Sequence, residues 1–97
     1  KDDIWLSPAY ERDSAYIAVH MYKGMPYQAY FSCVEEIFWK YGGRPHWGKM
    51  HRMDTAGLHK AFPRLKDFLA VREEWDPQAR FANDYLSHLL GIASGSP

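Results

Sequence analysis

One point in the chain restricts its fold more than any other, because the hydrophobic period changes there. Over residues 15–22, the side chains divide with a period of two into an apolar set and a second set that is mostly aromatic and includes one histidine, which is typical of a β-strand. Over residues 26–41, apolar residues recur every three or four positions, which is typical of an amphipathic α-helix. Gly24 and Pro26 lie between the two patterns and end the first one. The change predicts a sheet with helices packed on it, and therefore an α+β fold.

The strand and the helix each have a polar and an apolar side. Residues 15, 17, 19 and 21 form the face of the strand that suits a core, and the other face carries His20 and Tyr22 among aromatic neighbours. We expect that second face to line a pocket. Pro26 suits the first turn of the helix, and Gly42-Gly43 suits its end. A shorter apolar run at residues 4–6 is a second candidate strand.

The second half of the sequence reads as helical. Asp54 or Thr55 is a good N-cap, Asp76-Pro77 is a strong stop signal, and Gly91 suits a C-cap. Residues 93–97, Ala-Ser-Gly-Ser-Pro, are expected to be a flexible tail. Three helices are predicted here, over about residues 55–61, 65–75 and 81–90.

Composition excludes several classes of protein. The 97 residues allow one domain, and 12 basic residues balance 12 acidic ones, so no basic face for nucleic acid is indicated. The single cysteine, Cys33, excludes an internal disulfide framework and is compatible with a reducing compartment, so we expect a cytoplasmic location. No apolar run approaches the roughly 20 residues that span a bilayer, so no membrane segment is expected.

Simple catalytic or metal-binding patterns are missing. Five histidines are present, but His46 and His51 are five residues apart and no His-Glu-x-x-His pattern occurs, so no metal site is expected. Cys33 lies within the predicted helix of residues 26–41, where we expect a small buried hydrophobe rather than a nucleophile. Adjacent glutamates on the helices point in different directions and make no carboxylate dyad.

The loop over residues 42–53 breaks all periodicity and concentrates glycine, basic, imidazole and indole side chains. Loops of this composition carry function more often than regular elements do. Gly48 would let a planar ligand approach the backbone, and Lys49 would supply a fixed positive charge for a developing anion. The alternative is a solvated basic turn with Trp47 packed inward.

Three segments in this sequence resemble one family. Gly43-Arg44-Pro45-His46-Trp47-Gly48-Lys49 closely resembles the C-terminal signature of the aldonolactone and alditol oxidases. These are FAD-linked sugar oxidoreductases of the vanillyl-alcohol-oxidase superfamily. The pattern Asp-Pro-x-x-x-Phe-x-Asn-x-Tyr-Leu at residues 76–86 is similar to that family's closing segment. Residues 6–14 are similar to the alditol oxidase branch.

The resemblance implies roles for particular residues. Lys49 matches the family lysine that faces flavin and substrate, so it would be catalytic and cofactor-binding, stabilising negative charge when hydride reaches flavin N5. His46 belongs to the same motif and would also lie at the cofactor. His20 matches a histidine of the alditol oxidase substrate pocket. Tyr22 stands where that branch has a threonine that contacts substrate, and is the second predicted substrate-binding residue.

The resemblance also implies an architecture. Residues 1–92 would be the C-terminal portion of a substrate (cap) domain, an antiparallel sheet flanked by helices. FAD would be bound mainly by an N-terminal domain that this chain does not contain, so the chain alone would be inactive. The substrate would be an alditol or an aldonolactone, and both alternatives stay open.

One competing hypothesis is a small, non-catalytic binding or interaction module with a basic and aromatic loop. Aromatic residues make up 16% of the chain, which fits either a pocket wall or an interface. If the chain is part of an oxidase, we expect aromatic surface of the isolated chain to be exposed or covered by a second copy, so self-association is expected of the chain on its own.

Overall fold

The computed structural model describes residues 1–93, which form four α-helices joined by loops. Within those residues the one β-type pairing is an isolated parallel bridge between Asp2 and Tyr10. None of the helices in this part of the chain has the length and apolar character needed to cross a membrane. The predicted flexible tail lies, from residue 94 onward, outside the described residues. The helices are α1 (Gln28–Lys40), α2 (Thr55–Ala61), α3 (Leu65–Trp75) and α4 (Asp84–Leu90).

The predicted end of α1 at Gly42-Gly43 is confirmed. The Gly42 N–H donates to the Trp39 carbonyl (3.0 Å), and the Gly43 N–H donates to the Phe38 carbonyl (2.7 Å). Gly42 has φ of +73°, in the left-handed region that glycine adopts without steric cost. This hydrogen-bond pair is the Schellman motif, which satisfies carbonyls that the end of a helix leaves unpaired.

The three predicted C-terminal helices are also confirmed, each with local signals at its ends. An Asp54 carboxylate oxygen accepts the Gly57 N–H (2.8 Å), and the Asn83 side-chain oxygen accepts the Leu86 N–H (2.8 Å). Gly91 ends α4 with φ of +66°. The last helix begins at Asp84, three residues later than predicted, because Asn83 takes the N-cap position.

The core of the molecule lies where α2, α3 and α4 meet. Phe62, Leu58 and Leu65 are completely buried, and Leu89 and Leu90 of α4 pack against them. Burial of each such side chain contributes on the order of 2 kcal/mol to folding. The Thr55 hydroxyl adds a polar link, since it lies within hydrogen-bond distance of the His88 and Leu89 carbonyls at the end of α4 (3.2 and 2.9 Å).

Neither residues 15–22 nor α1 belongs to that core, and Leu6 is the residue before α1 that packs against it. No residue of α1 is buried, and Ile37 of its apolar stripe is 52% exposed. Cys33 is exposed too, so the expectation that it would be a buried hydrophobe is wrong. Residues 15–22 form neither a helix nor a paired strand. The antiparallel sheet therefore stays a prediction, and these residues hold no strand partner within residues 1–93.

Candidate active site

The loop that carries the predicted catalytic lysine is a tight turn over residues 46–49. The Lys49 N–H donates to the His46 carbonyl (3.2 Å), which closes the turn. The Gly48 N–H donates to Nδ1 of the His46 ring (3.0 Å), so the imidazole is an acceptor on that nitrogen. His46 therefore stabilises the turn from within, while its side chain stays exposed.

Trp47 fixes this turn to the core. Its indole N–H donates to the Leu6 carbonyl (2.8 Å), and its ring centroid lies 5.1 Å from that of Phe62 at an interplanar angle of 35°. Aromatic pairs at such separations add stabilisation beyond the area they bury. Trp47 is therefore packed inward, as in the solvated-turn interpretation of the loop, and this is compatible with function because the other residues of the turn stay exposed.

Arg44 holds the loop from the other side. Its guanidinium donates to the carbonyls of Ala61 (2.7 Å), Pro8 (3.1 Å) and Tyr10 (2.9 Å), and its Cζ lies 5.6 Å from the Phe62 ring centroid. Burial lowers the pKa of Arg44, and the nearby Arg12 charge lowers it further, yet the group stays protonated at neutral pH. Arg44 thus connects the N-terminal segment, the loop and the end of α2.

Lys49 points away from these anchors. Its side chain is exposed, and within residues 1–93 it makes no hydrogen bond or ion pair. Gly48 beside it has open backbone: an added Cβ would meet only the His46 ring, at 3.4 Å. A turn anchored through Trp47, with an ammonium on its last residue that has no partner among residues 1–93, suits electrostatic stabilisation of an anionic ligand.

A second layer of this site involves His51 and Tyr85, two residues to which sequence reasoning assigned no role. His51 Nε2 lies 2.9 Å from the Tyr85 hydroxyl, and that hydroxyl donates to the Trp47 carbonyl (3.0 Å). His51 Nδ1 accepts the Met53 N–H (3.2 Å). Burial lowers the pKa of His51, and the Glu35 carboxylate opposes that shift. The signal that could have found this layer is Tyr85 itself, which belongs to the quoted closing segment.

That closing segment has a physical explanation as a whole. The Asp76 carboxylate accepts the N–H groups of Arg80 (2.8 Å) and Phe81 (3.0 Å), which lower its pKa and fix the turn after α3. Asn83 then caps α4, as described above. The two caps set the start of α4, and this start decides where Tyr85 projects.

The predicted substrate-binding residues lie on a different segment of the chain, before α1. His20 and Tyr22 are both exposed, on the segment that forms no regular element, and Tyr22 is 84% exposed. No hydrogen bond or ion pair joins either residue to the 46–49 turn within the described part of the chain. The structure thus brings together His46 and Lys49, and it leaves the roles of His20 and Tyr22 as predictions.

Other candidate sites are weaker. A cleft of about 330 Å³ lies between α3, α4 and Trp47, with mostly apolar walls that neither His46 nor Lys49 lines. Arg72 lines it, and its Nε is buried without a partner among residues 1–93. Over the same residues, no group of three His, Cys, Asp or Glu side chains is placed to hold a metal ion. The turn at Lys49 therefore remains the candidate active site.

Comparison with known proteins identifies the class of protein to which this site belongs. The sequence profile of the D-arabinono-1,4-lactone oxidase family matches residues 1–89. The match covers the Trp47 turn and the closing segment through Tyr85. The chain belongs to this family of aldonolactone and alditol oxidases, and the resemblance seen in the sequence is confirmed.

Individual relatives carry names of oxidoreductases that act on aldonolactones or alditols. L-gulono-1,4-lactone dehydrogenase of Mycobacterium tuberculosis is 51% identical over 90 residues, covering 93% of this chain and 21% of the relative. L-gulonolactone oxidase of Bos taurus is 43% identical over 93 residues, covering 92% of this chain and 21% of the relative. Alditol oxidase of a Streptomyces species is 37% identical over 92 residues, covering 92% of this chain and 22% of the relative.

These relatives are much longer than the region compared. The chain spans about a fifth of the length of the curated relatives it matches. No solved structure matches the chain.

Proposed function

We propose that this chain forms the C-terminal part of the substrate domain, over residues 1–92, of an FAD-dependent enzyme that oxidises a hydroxyl group of a sugar lactone or sugar alcohol. The observation that carries the proposal is the turn at residues 46–49. Its buried side is anchored through Trp47, and its last residue, Lys49, presents an exposed ammonium that has no partner within the described residues.

The residues of the turn fit a flavin in their donor chemistry. FAD, when bound, supplies the acceptor for the hydride that leaves the substrate carbon. Lys49 would hold a positive charge next to the ring system, where negative charge accumulates on reduction. Gly48 leaves room for a planar group at the backbone, and His46 keeps the turn closed. Most contacts to FAD would come from a separate N-terminal domain.

Among the two substrate classes, we favour an aldonolactone. The relatives named for gulonolactone are 51% and 43% identical to this chain, and the one named for alditols is 37% identical. His20 and Tyr22 would contact that substrate. Both are exposed on a segment with no other assigned role, so they are available for it.

The exposed surface supports a larger assembly. Tyr16, Ile17, Tyr22, Trp75 and Phe81 are all more than two-thirds exposed, which is unusual for so many large apolar residues in a short chain. We infer that residues 15–22 pair into an antiparallel sheet of the complete substrate domain, and that the remaining aromatic surface contacts the FAD-binding domain. A cytoplasmic location remains part of the same proposal.

The test of the catalytic role is Lys49→Met in the complete enzyme. We expect the rate constant of flavin reduction by substrate to fall about 10²- to 10³-fold, as for other preorganised groups at a developing charge. Stability should be unchanged, because the side chain is exposed. Lys66→Met on α3 is the matched control, also exposed, and should leave the rate unchanged. Equal rates in the two variants would contradict a flavin-facing role for Lys49.

The substrate class is tested by steady-state kinetics of the same enzyme. We expect kcat/KM to be higher for gulono- and galactonolactone than for xylitol or sorbitol. The opposite order would assign the enzyme to the alditol branch. A folded complete protein that never retains FAD would instead favour the non-catalytic binding module.

A further inference from the structure

The hydrogen bonds around His51 determine where its protons are. Tyr85 has one hydroxyl proton, and the hydroxyl donates that proton in a hydrogen bond to the Trp47 carbonyl oxygen (3.0 Å). The 2.9 Å contact between the hydroxyl oxygen and His51 Nε2 therefore needs a proton on the imidazole nitrogen. His51 Nδ1 accepts the Met53 N–H (3.2 Å), so that nitrogen carries no proton. One state satisfies all three contacts, the neutral ring protonated on Nε2.

These contacts surround the turn that carries Lys49. Trp47 lies two residues before Lys49 and His51 lies two residues after it, and Tyr85 contacts both. Tyr85 belongs to α4, whose Leu89 and Leu90 are buried in the core. The short segment between Trp47 and His51 is therefore tied at both ends to one side chain on a core helix.

We propose that His51 and Tyr85 are positioning residues, which together hold the backbone of residues 47–51 so that the Lys49 ammonium stays in its functional place. This rests on the proposed function of Lys49 and adds how that residue is oriented. Neither side chain is assigned to contact substrate or cofactor.

Protonation of His51 would break the arrangement. An imidazolium has a proton on Nδ1 and cannot accept the Met53 N–H. The groups that act on the ring are Tyr85 from α4, the Met53 N–H of the loop, and Glu35 from α1. Glu35 favours the protonated ring, but it is itself engaged by the Arg52 N–H (3.0 Å) and guanidinium (3.7 Å). Burial has the larger effect and favours the neutral ring.

The first experiment measures the protonation state directly and needs no activity. Imidazole nitrogen chemical shifts of the 97-residue chain at pH 7 should show His51 neutral, with the proton on Nε2. Exposed His59 and His88 are internal references. In Tyr85→Phe the Nε2–H loses its acceptor while the Met53 N–H still needs an unprotonated Nδ1, so the tautomer should be kept and the Nε2 chemical shift should move. Tyr30→Phe, at similar exposure (43% against 45%), should leave that shift unchanged. A ring protonated on Nδ1 at pH 7 would overturn the proposal, whatever the enzyme does.

The second experiment uses the complete enzyme. Tyr85→Phe and His51→Asn should each lower kcat about ten- to a hundredfold, as expected when a catalytic group is misplaced by about 1 Å. KM should change little, because neither residue binds substrate. The unmodified enzyme should lose kcat at acid pH as His51 is protonated, and His51→Asn, whose amide oxygen can still accept the Met53 N–H, should lack that acid limb.

The two results separate this proposal from the assignment of Lys49. If Lys49→Met leaves flavin reduction unchanged, the proposed function fails, even where the His51 tautomer is as expected. The other case is that Lys49→Met is impaired while Tyr85→Phe and His51→Asn have the same kcat and pH profile as Tyr30→Phe. That result would contradict the positioning role and leave the assignment of Lys49 in place.

Discussion

Two regions of the molecule differ in how far their apolar side chains are buried. The region from Asp54 to Ile92 has capped helices, a completely buried centre at Leu58, Phe62 and Leu65, and a hydroxyl link between two helices. The region from Asp13 to Tyr41 has one helix with no buried residue and a ten-residue segment with no regular structure. Apolar residues are abundant in both regions. What differs is whether the chain itself supplies a surface to cover them.

This difference shows which part of the fold the chain can specify alone. The region from Asp13 to Tyr41 is joined to the rest of the chain through a few polar groups, chiefly Arg52 of the intervening loop, which bonds Glu35 and lies 5.4 Å from the Trp39 ring centroid. Partly exposed ion pairs of this kind contribute little stability. We therefore expect the C-terminal region to determine the unfolding free energy, and the N-terminal region to depend on partners for its final structure.

The largest expected effect comes from truncating the centre of the core. Phe62→Ala should lower the free energy of unfolding by about 3–5 kcal/mol, because it removes a completely buried ring that packs on Trp47 and lies under Arg44. Ile37→Ala on α1 should cost less than about 1 kcal/mol, since that side chain is half exposed. Urea unfolding followed by circular dichroism measures both. Equal losses would mean that α1 is packed more tightly than the structure shows.

An intermediate effect is expected where the N-terminal segment joins the core. Arg44→Met keeps the length of the side chain but leaves the carbonyls of Pro8, Tyr10 and Ala61 without their donor. The free energy of unfolding should fall by about 2 kcal/mol. Limited proteolysis should cleave within the first ten residues faster than it does in the unmodified chain. Arg12→Met removes one exposed bond, to the Gly42 carbonyl, and serves as the control. If both variants unfold alike, Arg44 is not the link between these segments.

The sequence predicted the helices well because their signals are local. Asp54, Asn83, Gly42 and Gly91 act within a few residues, so their caps follow from neighbouring sequence alone. The motif predicts Lys49 as a site residue, and the inward Trp47 agrees with the alternative interpretation of the loop. The Tyr85–His51 contact joins residues 34 positions apart and has no local signature. Burial of Cys33 was predicted wrongly because an apolar stripe shows which face could be covered, not that the chain covers it.

The smallest expected change in unfolding free energy of the isolated chain is that of Ile17→Asn, and it tests whether residues 15–22 form a strand. Ile17 is 68% exposed, so Ile17→Asn should change the unfolding free energy of this chain by less than about 0.5 kcal/mol. If residues 15–22 become a strand in the complete enzyme, Ile17 lies on its core face, because side chains alternate along a strand. The same substitution should then cost about 1–3 kcal/mol there. Ala18→Asn, on the opposite face, should cost less.

If Ile17→Asn changes the unfolding free energy of neither the isolated chain nor the complete enzyme, the sheet is removed from the proposal. The proposed role of Lys49 would not be affected. The sheet and the Lys49 site can be tested separately because they depend on different interactions. The turn at residues 46–49 is anchored by contacts within the chain, through Trp47 and Tyr85. The proposed substrate face with His20 and Tyr22 depends on strand pairing that residues 1–93 do not supply. Mutations at the turn should therefore act alike in the isolated chain and the enzyme, and mutations on the strand should not.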